Sequence, residues 1–516
     1  MAGTMAKVSS TSSLLRSLCS LMPISITLVS CSSAFSLPSA RAAGGSPSAS
    51  SGGRGAQAGQ RSPPSSGSGL RTHHRVAPAL STRGGAEEER SAQGGCGVDK
   101  HSFRSTGHPA VPDGLHLKQV VVICRHGDRA PVTSSLGSLL DDGPESVSLW
   151  ESKLPPTEDV ERWSKDFPCR VLGDDCGQTI DEIVSADGPW GQLTSRGADE
   201  LRAVGEGLRT VLEGGDVAGG GGDRLFPGGL EAEASSIFVR CTKLKRTHQS
   251  AQNLLMGLGF SSGVDLFVRP HDRETLWPSK HNRVRQNELI AQANENNEYP
   301  EQAELKRQTA EMVGVEEDGV KWTTVREVVS CYEAHGVPLP RWAIDSGVVK
   351  GVVDYTGWMW GRWFDNREMT RLSLGPFLSE VLTIIGARGD ESGVPEAGMT
   401  NTPKLAIFSG HDSTLVPIMT ALKIYEDVWP PYASYISLDI ASDEQGARLV
   451  RVVFNGEEAV LPGAVGPWIP LQELQQRLKD IMPIAEDEVV RESDEETSKA
   501  SSEISAAVSS GKGSGD

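Results

Sequence analysis

Residues 120–124 read Val-Val-Val-Ile-Cys, an unbroken apolar run that passes directly into Arg125-His126-Gly127-Asp128-Arg129-Ala130-Pro131. A β-branched run with no polar alternation predicts a strand covered on both faces, as in the parallel sheet of an α/β fold. Functional groups in such sheets gather at the carboxyl ends of the strands. Here two arginines flank a histidine at that end. Guanidinium forks match a phosphate bidentately, and an imidazole held between them can attack the phosphorus. Gly127 lets the backbone approach closely.

The arrangement recurs along the chain. Residues 235–239 predict a second buried strand ending on Arg240, and residues 404–408 a third ending in Ser409-Gly410-His411-Asp412. Helical spacing is seen at Leu201, Val204, Leu208, Val211 and Leu212, again at Leu244, Thr247, Ala251, Leu254, Leu255 and Leu258, and at Leu415, Ile418, Met419 and Leu422. Residues 435–440 and 449–454 predict an antiparallel hairpin. Residues 271–401 are irregularly helical and polar, with Trp322, Trp342, Trp358, Trp360 and Trp363. The expected fold is therefore α/β, a mainly parallel central sheet flanked by helices, with an inserted, mainly helical cap. The core spans residues 115–270 and 402–480, and the cap residues 271–401.

Strands ending in Arg125-His126, Arg240 and His411-Asp412, with Arg129 from the loop, can bring three arginines, two histidines and a carboxyl group to one sheet edge. Three guanidiniums disfavour protonation of an imidazole among them and keep it nucleophilic in mild acid. A phosphoryl group can then pass to His126 while Asp412 gives a proton to the departing alcohol, and water attacks next with Asp412 as base.

Composition narrows the alternatives. With 50 basic and 68 acidic residues the formal charge is -18, which argues against a nucleic-acid binder. No C-x-x-C pair and no H-E-x-x-H occurs, and the glycine-rich residues 214–229 lack the lysine and hydroxyl of a P-loop, so neither metal nor cofactor is expected. Cys124 and Cys241 read as free buried thiols, while Cys169 and Cys176 are close enough to close a small loop, a question left open.

Residues 1–86 contain no Asp or Glu, and scattered arginines among Ser, Ala and Gly mark residues 1–42 as a targeting segment. Its apolar part, residues 14–29, is broken by Arg16 and Pro23 and is too short to span a bilayer. A signal peptide fits best, and the arginine- and serine-rich stretch behind it also looks like a transit peptide. Secreted, lysosome-like, plastid and mitochondrial destinations stay open. Residues 43–114 are expected to be a disordered linker and residues 481–516 a disordered acidic tail.

The motif Arg125-His126-Gly127-Asp128-Arg129-Ala130-Pro131 resembles the R-H-G-x-R-x-P signature of the histidine acid phosphatases, branch 2 of the histidine phosphatase superfamily. His411-Asp412 matches that branch's second signature, the segment from Gly191 to Gly197 resembles its G-x-L-T-x-x-G, and Val239-Arg240-Cys241-Thr242 its V-R-S-T block. The resemblance implies that His126 is the nucleophile and Asp412 the proton donor, with Arg125, Arg129, Arg240 and His411 binding the phosphate. Cys241 departs from the usual serine, as do Lys243 and Lys245 from acidic or neutral residues. Within the family, Trp429-Pro430-Pro431 and Asn455-Gly456-Glu457-Glu458 look most like the lysophosphatidic acid phosphatases. A small phosphorylated substrate is thus expected, a lysophospholipid first among candidates. Alternatives are an inositol phosphate, or a phosphotransferase or mutase reaction on the same histidine. Trp358, Trp360 and Trp363 are either a lipid-tail lining or ordinary core.

Overall fold

The computed structural model of the chain describes residues 107–172, 188–213, 224–270, 273–279, 282–386, 402–485 and 487. The expected targeting segment, most of the linker, Cys176, the glycine-rich run up to residue 223 and the acidic tail from residue 488 lie outside these residues.

The elements run β1 (Leu115–Arg125), α1 (Pro144–Glu151), α2 (Thr157–Asp166), β2 (Cys169–Val171), α3 (Ser195–Leu212), β3 (Ile237–Cys241), α4 (Lys245–Gly257) and β4 (Leu266–Val268). Six helices follow: α5 (Arg283–Asn296), α6 (Gln302–Val313), α7 (Trp322–His335), α8 (Arg341–Asp345), α9 (Val348–Phe364) and α10 (Arg367–Ile384). The chain then returns through β5 (Leu405–Gly410), α11 (Asp412–Ala421), β6 (Tyr435–Asp443), β7 (Arg448–Phe454), β8 (Glu457–Ala459), β9 (Trp468–Pro470) and α12 (Leu471–Leu478).

Among the described residues the strands form one sheet in the order β2-β4-β3-β5-β1-β6-β7-β8, with β9 also on β7. From β2 to β1 the neighbours are parallel, and from β1 outward they are antiparallel. The apolar run of residues 120–124 is central because β5 pairs on one side of it and β6 on the other. Both faces of β1 are covered as well. Val120, Val122 and Cys124 point to α3 and α4, packing with Leu201, Val204, Leu208, Leu254 and Leu258. Val121 and Ile123 point to the opposite layer of α10, α11 and α12, among Phe377, Val381, Leu415, Ile418 and Leu474. The antiparallel extension turns at Asn455 and Gly456, both at positive φ (50° and 86°), the geometry that favours Asn-Gly in a two-residue hairpin.

Helix α10 lies within the residues expected to form the cap, yet it packs on the sheet with Leu374, Phe377 and Leu378. The tryptophans divide. Trp360 and Trp363 are buried with Phe364 and Trp429 in a cluster of their own, whereas Trp358 and Trp363, with Trp322 and Tyr355, also line a cavity of about 260 Å³. Helix α7 leans toward the sheet edge: its Val328, Cys331 and Tyr332 pack with Ala130, Trp150 and Tyr432.

Candidate active site

Three chain reversals converge where β1, β3 and β5 end. Arg125 is the last residue of β1, and the next amide, that of His126, donates to the Gly410 carbonyl at the end of β5 at 3.0 Å. His411 caps α11 and Asp412 is its first residue. The loop after β1 is held by the segment from Gly191 to Gly197. Thr194 Oγ1 caps α3 by accepting from the Gly197 amide at 3.1 Å and donates to Asp128 Oδ2 at 2.5 Å. A Cβ on Gly127 would lie 2.2 Å from the Gly197 carbonyl oxygen, so the two backbones can meet only as glycines.

The His126 ring is fixed by Nδ1, which donates to the Gly127 carbonyl at 2.8 Å and leaves the lone pair on Nε2. Its ring meets that of His411 edge on, with centroids 5.5 Å apart. His411 is bonded at Nε2 to Thr242 Oγ1 at 3.0 Å and stacks on Trp277 at 5.7 Å. Burial first, then the charges of Arg246, Arg129 and Arg125, holds the His126 imidazole well below its ordinary pKa. Burial and Arg246 do the same to His411. Both shifts favour the neutral ring, as expected for an imidazole among guanidiniums.

Arg125 donates from Nη1 to the Pro430 carbonyl at 2.7 Å, lies 4.0 Å above the Tyr432 ring, and pairs through Nη2 with Asp412 Oδ2 at 2.9 Å. Arg129 pairs with Glu327. Burial alone would raise the Asp412 carboxyl, but Arg125, Arg326 and Arg129 outweigh it and hold that group well below the usual carboxylate range.

Arg240 does not join this cluster. Its guanidinium pairs with Glu274 at 3.3 Å and Glu380 at 3.2 Å and donates to Thr275 Oγ1 at 2.9 Å. Side chains alternate along a strand, and Arg240 shares the face of Phe238, which is turned toward Phe377 of α10. Arg246, in the first turn of α4, stands in the cluster instead. It is buried, donates to the Gly191 carbonyl at 3.4 Å, and burial and Arg129 lower its pKa to about 9. Lys243 and Lys245 beside it are half-buried.

Helix α7 supplies groups that the strand-end pattern does not announce. Arg326 lies over Trp429 at 3.8 Å and 3.6 Å from Asp412, Glu327 pairs with Arg129, and His335 Nε2 meets Asp128 Oδ2 at 2.5 Å. In the sequence Arg246 follows Lys243 and Lys245 with no motif of its own, and Arg326 and Glu327 stand in a polar cap with no motif. Around the two imidazoles, Arg125, Arg129, Arg246 and Arg326 face Asp412 and Glu327, an excess of two positive charges. Arg129 Nε, Arg246 Nε, Arg326 Nε and His411 Nδ1 are buried and lack a hydrogen-bond acceptor or donor within the protein. Such a set suits a tetrahedral dianion.

The family model described as Histidine phosphatase superfamily (branch 2) matches residues 116–326. The chain is 27% identical over 393 residues to Counting factor 60 of Dictyostelium discoideum, covering 72% of this chain and 87% of that one. It is 25% identical to lysophosphatidic acid phosphatase type 6 of Bos taurus, covering 70% and 82% respectively. Lysosomal acid phosphatase of Bos taurus is 24% identical, with 71% and 78% covered.

Proposed function

Because the chain belongs to the histidine acid phosphatase family and is a phosphomonoesterase, we propose that it hydrolyses its substrate through a phosphohistidine formed on His126. The observation that carries this reading is the bond from His126 Nδ1 to the Gly127 carbonyl at 2.8 Å, which presents Nε2 as an unprotonated nucleophile. Arg125, Arg129, Arg246 and His411 bind the phosphate, and Arg240 holds Glu274 and Glu380 in place. Nε2 attacks the phosphorus, the bond to the ester oxygen breaks, and that oxygen takes a proton from the Asp412 carboxyl. Water then attacks the phosphorus and gives its proton to Asp412 as the bond to nitrogen breaks. In the free protein Asp412 is ionised. A phosphate dianion among the guanidiniums offsets their charge, raises the carboxyl's pKa, and lets it arrive at the reaction protonated.

The substrate we assign is lysophosphatidate. The assignment is supported by the resemblance of Trp429-Pro430-Pro431 and the Asn455-Gly456 hairpin to that group, and by the relative of that name. Delivery through the secretory pathway, to a lysosome-like compartment, is supported by the similarity to lysosomal acid phosphatase. The test is rapid-quench labelling with a phosphate-labelled monoester. An acid-labile, base-stable phosphoenzyme is expected in wild type and not in His126→Ala, whose circular dichroism should match wild type. A His126→Ala protein that retains a large share of turnover overturns the covalent scheme.

A further inference from the structure

On the α3 and α4 side of the sheet a second cluster stands behind the phosphate pocket. Cys169 opens β2, Cys241 closes β3, and His248 lies in the first turns of α4. One ligand atom from each lies within 4.8 Å of the other two, and among the described residues this is the one group of three His, Cys, Asp or Glu side chains that meets so closely. All three are buried. We infer that Cys169, Cys241 and His248 form a binding site for a thiophilic metal ion of the zinc class, held by two thiolate sulfurs and one imidazole nitrogen.

The imidazole is oriented for it. His248 Nε2 donates to the Thr242 carbonyl at 2.8 Å, so the lone pair stays on Nδ1, which is buried and has no hydrogen-bond partner. Metal-binding histidines are commonly fixed in this manner, the second ring nitrogen tied to a backbone carbonyl. The two sulfurs come together although β4 lies between β2 and β3, and both cysteines are free thiols. An ion bonded at about 2.3 Å to each sulfur bridges them without moving the strands.

A divalent cation held by two buried thiolates cancels their charge. Two sulfurs and an imidazole select zinc-class or cuprous ions over magnesium or calcium. With three protein ligands the fourth position is left to water or a small thiol. The site adjoins the phosphate pocket through Thr242, which accepts from His248 at its carbonyl and bonds His411 Nε2 at 3.0 Å through its hydroxyl.

The experiment uses the full chain, kept reduced with a phosphine, stripped with chelator and titrated with Cd²⁺. Uptake is followed by equilibrium dialysis and by thiolate-to-cadmium charge-transfer absorption. Wild type is expected to bind one tight ion with that absorption. Cys169→Ser and Cys241→Ser should each lose the tight ion, and His248→Gln, which can still donate to the Thr242 carbonyl, should bind at least tenfold more weakly. Cys124→Ser, at a buried thiol outside the cluster, should bind as wild type does. Turnover of p-nitrophenyl phosphate by metal-free Cys169→Ser, equal to that of wild type, reports that the variant is folded. Tight binding that survives in Cys169→Ser, or its absence from wild type, overturns the assignment.

Discussion

Arg240 and Arg246 flank the turn between β3 and α4 and end in different charge networks. Arg240 is sealed between Glu274 and Glu380 on the α10 side of the sheet, while Arg246 reaches the Gly191 carbonyl beside His126. The separation predicts opposite phenotypes. Arg246→Lys keeps a charge but not a planar fork, and should lower kcat/KM more than tenfold, about 1.4 kcal/mol of transition-state binding, with little change in Tm. Arg240→Ala leaves the buried Glu274 carboxylate without its arginine, while Glu380 keeps Arg269, and should cost about 3–5 kcal/mol of stability. Steady-state kinetics and thermal melts on both variants decide the matter. An Arg246→Lys protein with unaltered kinetics would remove that residue from the phosphate pocket.

Asp412 and His411 adjoin in sequence but do different chemical work in the proposed cycle. An alkyl alcohol must be protonated as it leaves, whereas nitrophenolate departs unaided. Asp412→Asn should therefore lose about 10²–10⁴-fold on lysophosphatidate or a sugar phosphate and far less on p-nitrophenyl phosphate. His411→Ala should lose similar factors on both. Equal losses on both substrates for Asp412→Asn would exclude it as the principal proton donor.

Anion binding should carry a proton with it. Arg125, Arg326 and Arg129 outweigh the effect of burial and hold the Asp412 carboxyl low in the free protein, and a bound dianion that offsets them raises it. A group whose pKa rises on binding takes up a proton, so affinity must increase as pH falls. Sulfate is a suitable probe because it stays a dianion throughout the mildly acidic range. Calorimetric titrations should show tighter sulfate binding in acid for wild type and a flatter profile for Asp412→Asn. An unchanged pH slope in that variant would mean that the proton goes elsewhere.

Far from the pocket, Asp439 on β6 receives His108 Nε2 at 2.8 Å, Arg451 Nε at 2.8 Å and Ser437 Oγ at 2.5 Å. Burial alone would raise its carboxyl, but His108 and Arg451 prevail and lower it to about 2. A folded pKa below the unfolded value of about 3.9 contributes stability that is fully present above that value and is lost as pH falls through about 2. The pair thus keeps its worth across mild acid. Asp439→Asn should lower stability by on the order of 3 kcal/mol at neutral pH, because buried Arg451 loses the carboxylate at its Nε and keeps only the half-exposed Glu458 at Nη1. The Tm gap to wild type should hold down to about pH 4 and narrow below it. A gap that closes between pH 7 and 5 would assign the linkage to another group.

Local order determined much of this protein. The run of residues 120–124 needed only its β-branched composition to be legible as a buried strand, and it is central β1. Helices α3, α4 and α11 follow the apolar spacing, and the hairpin of β6 and β7 follows alternation and its polar turn. Motifs at strand ends brought Arg125, His126, His411 and Asp412 to one edge because their positions depend on residues a few places away. Tertiary structure decided the rest. Whether Arg240 or Arg246 faces the imidazoles depends on which side of β3 is covered by α10, and no local pattern states that. Arg326, Glu327 and His335 reach the pocket because α7 packs against Tyr432 and the loop after β1, contacts between segments distant in the chain. Cys169 meets Cys241 across an intervening strand for the same reason. Propensity and side-chain period are properties of neighbours in sequence, whereas facing, register and helix docking minimise exposed apolar area over the whole chain, and only the folded chain fixes them.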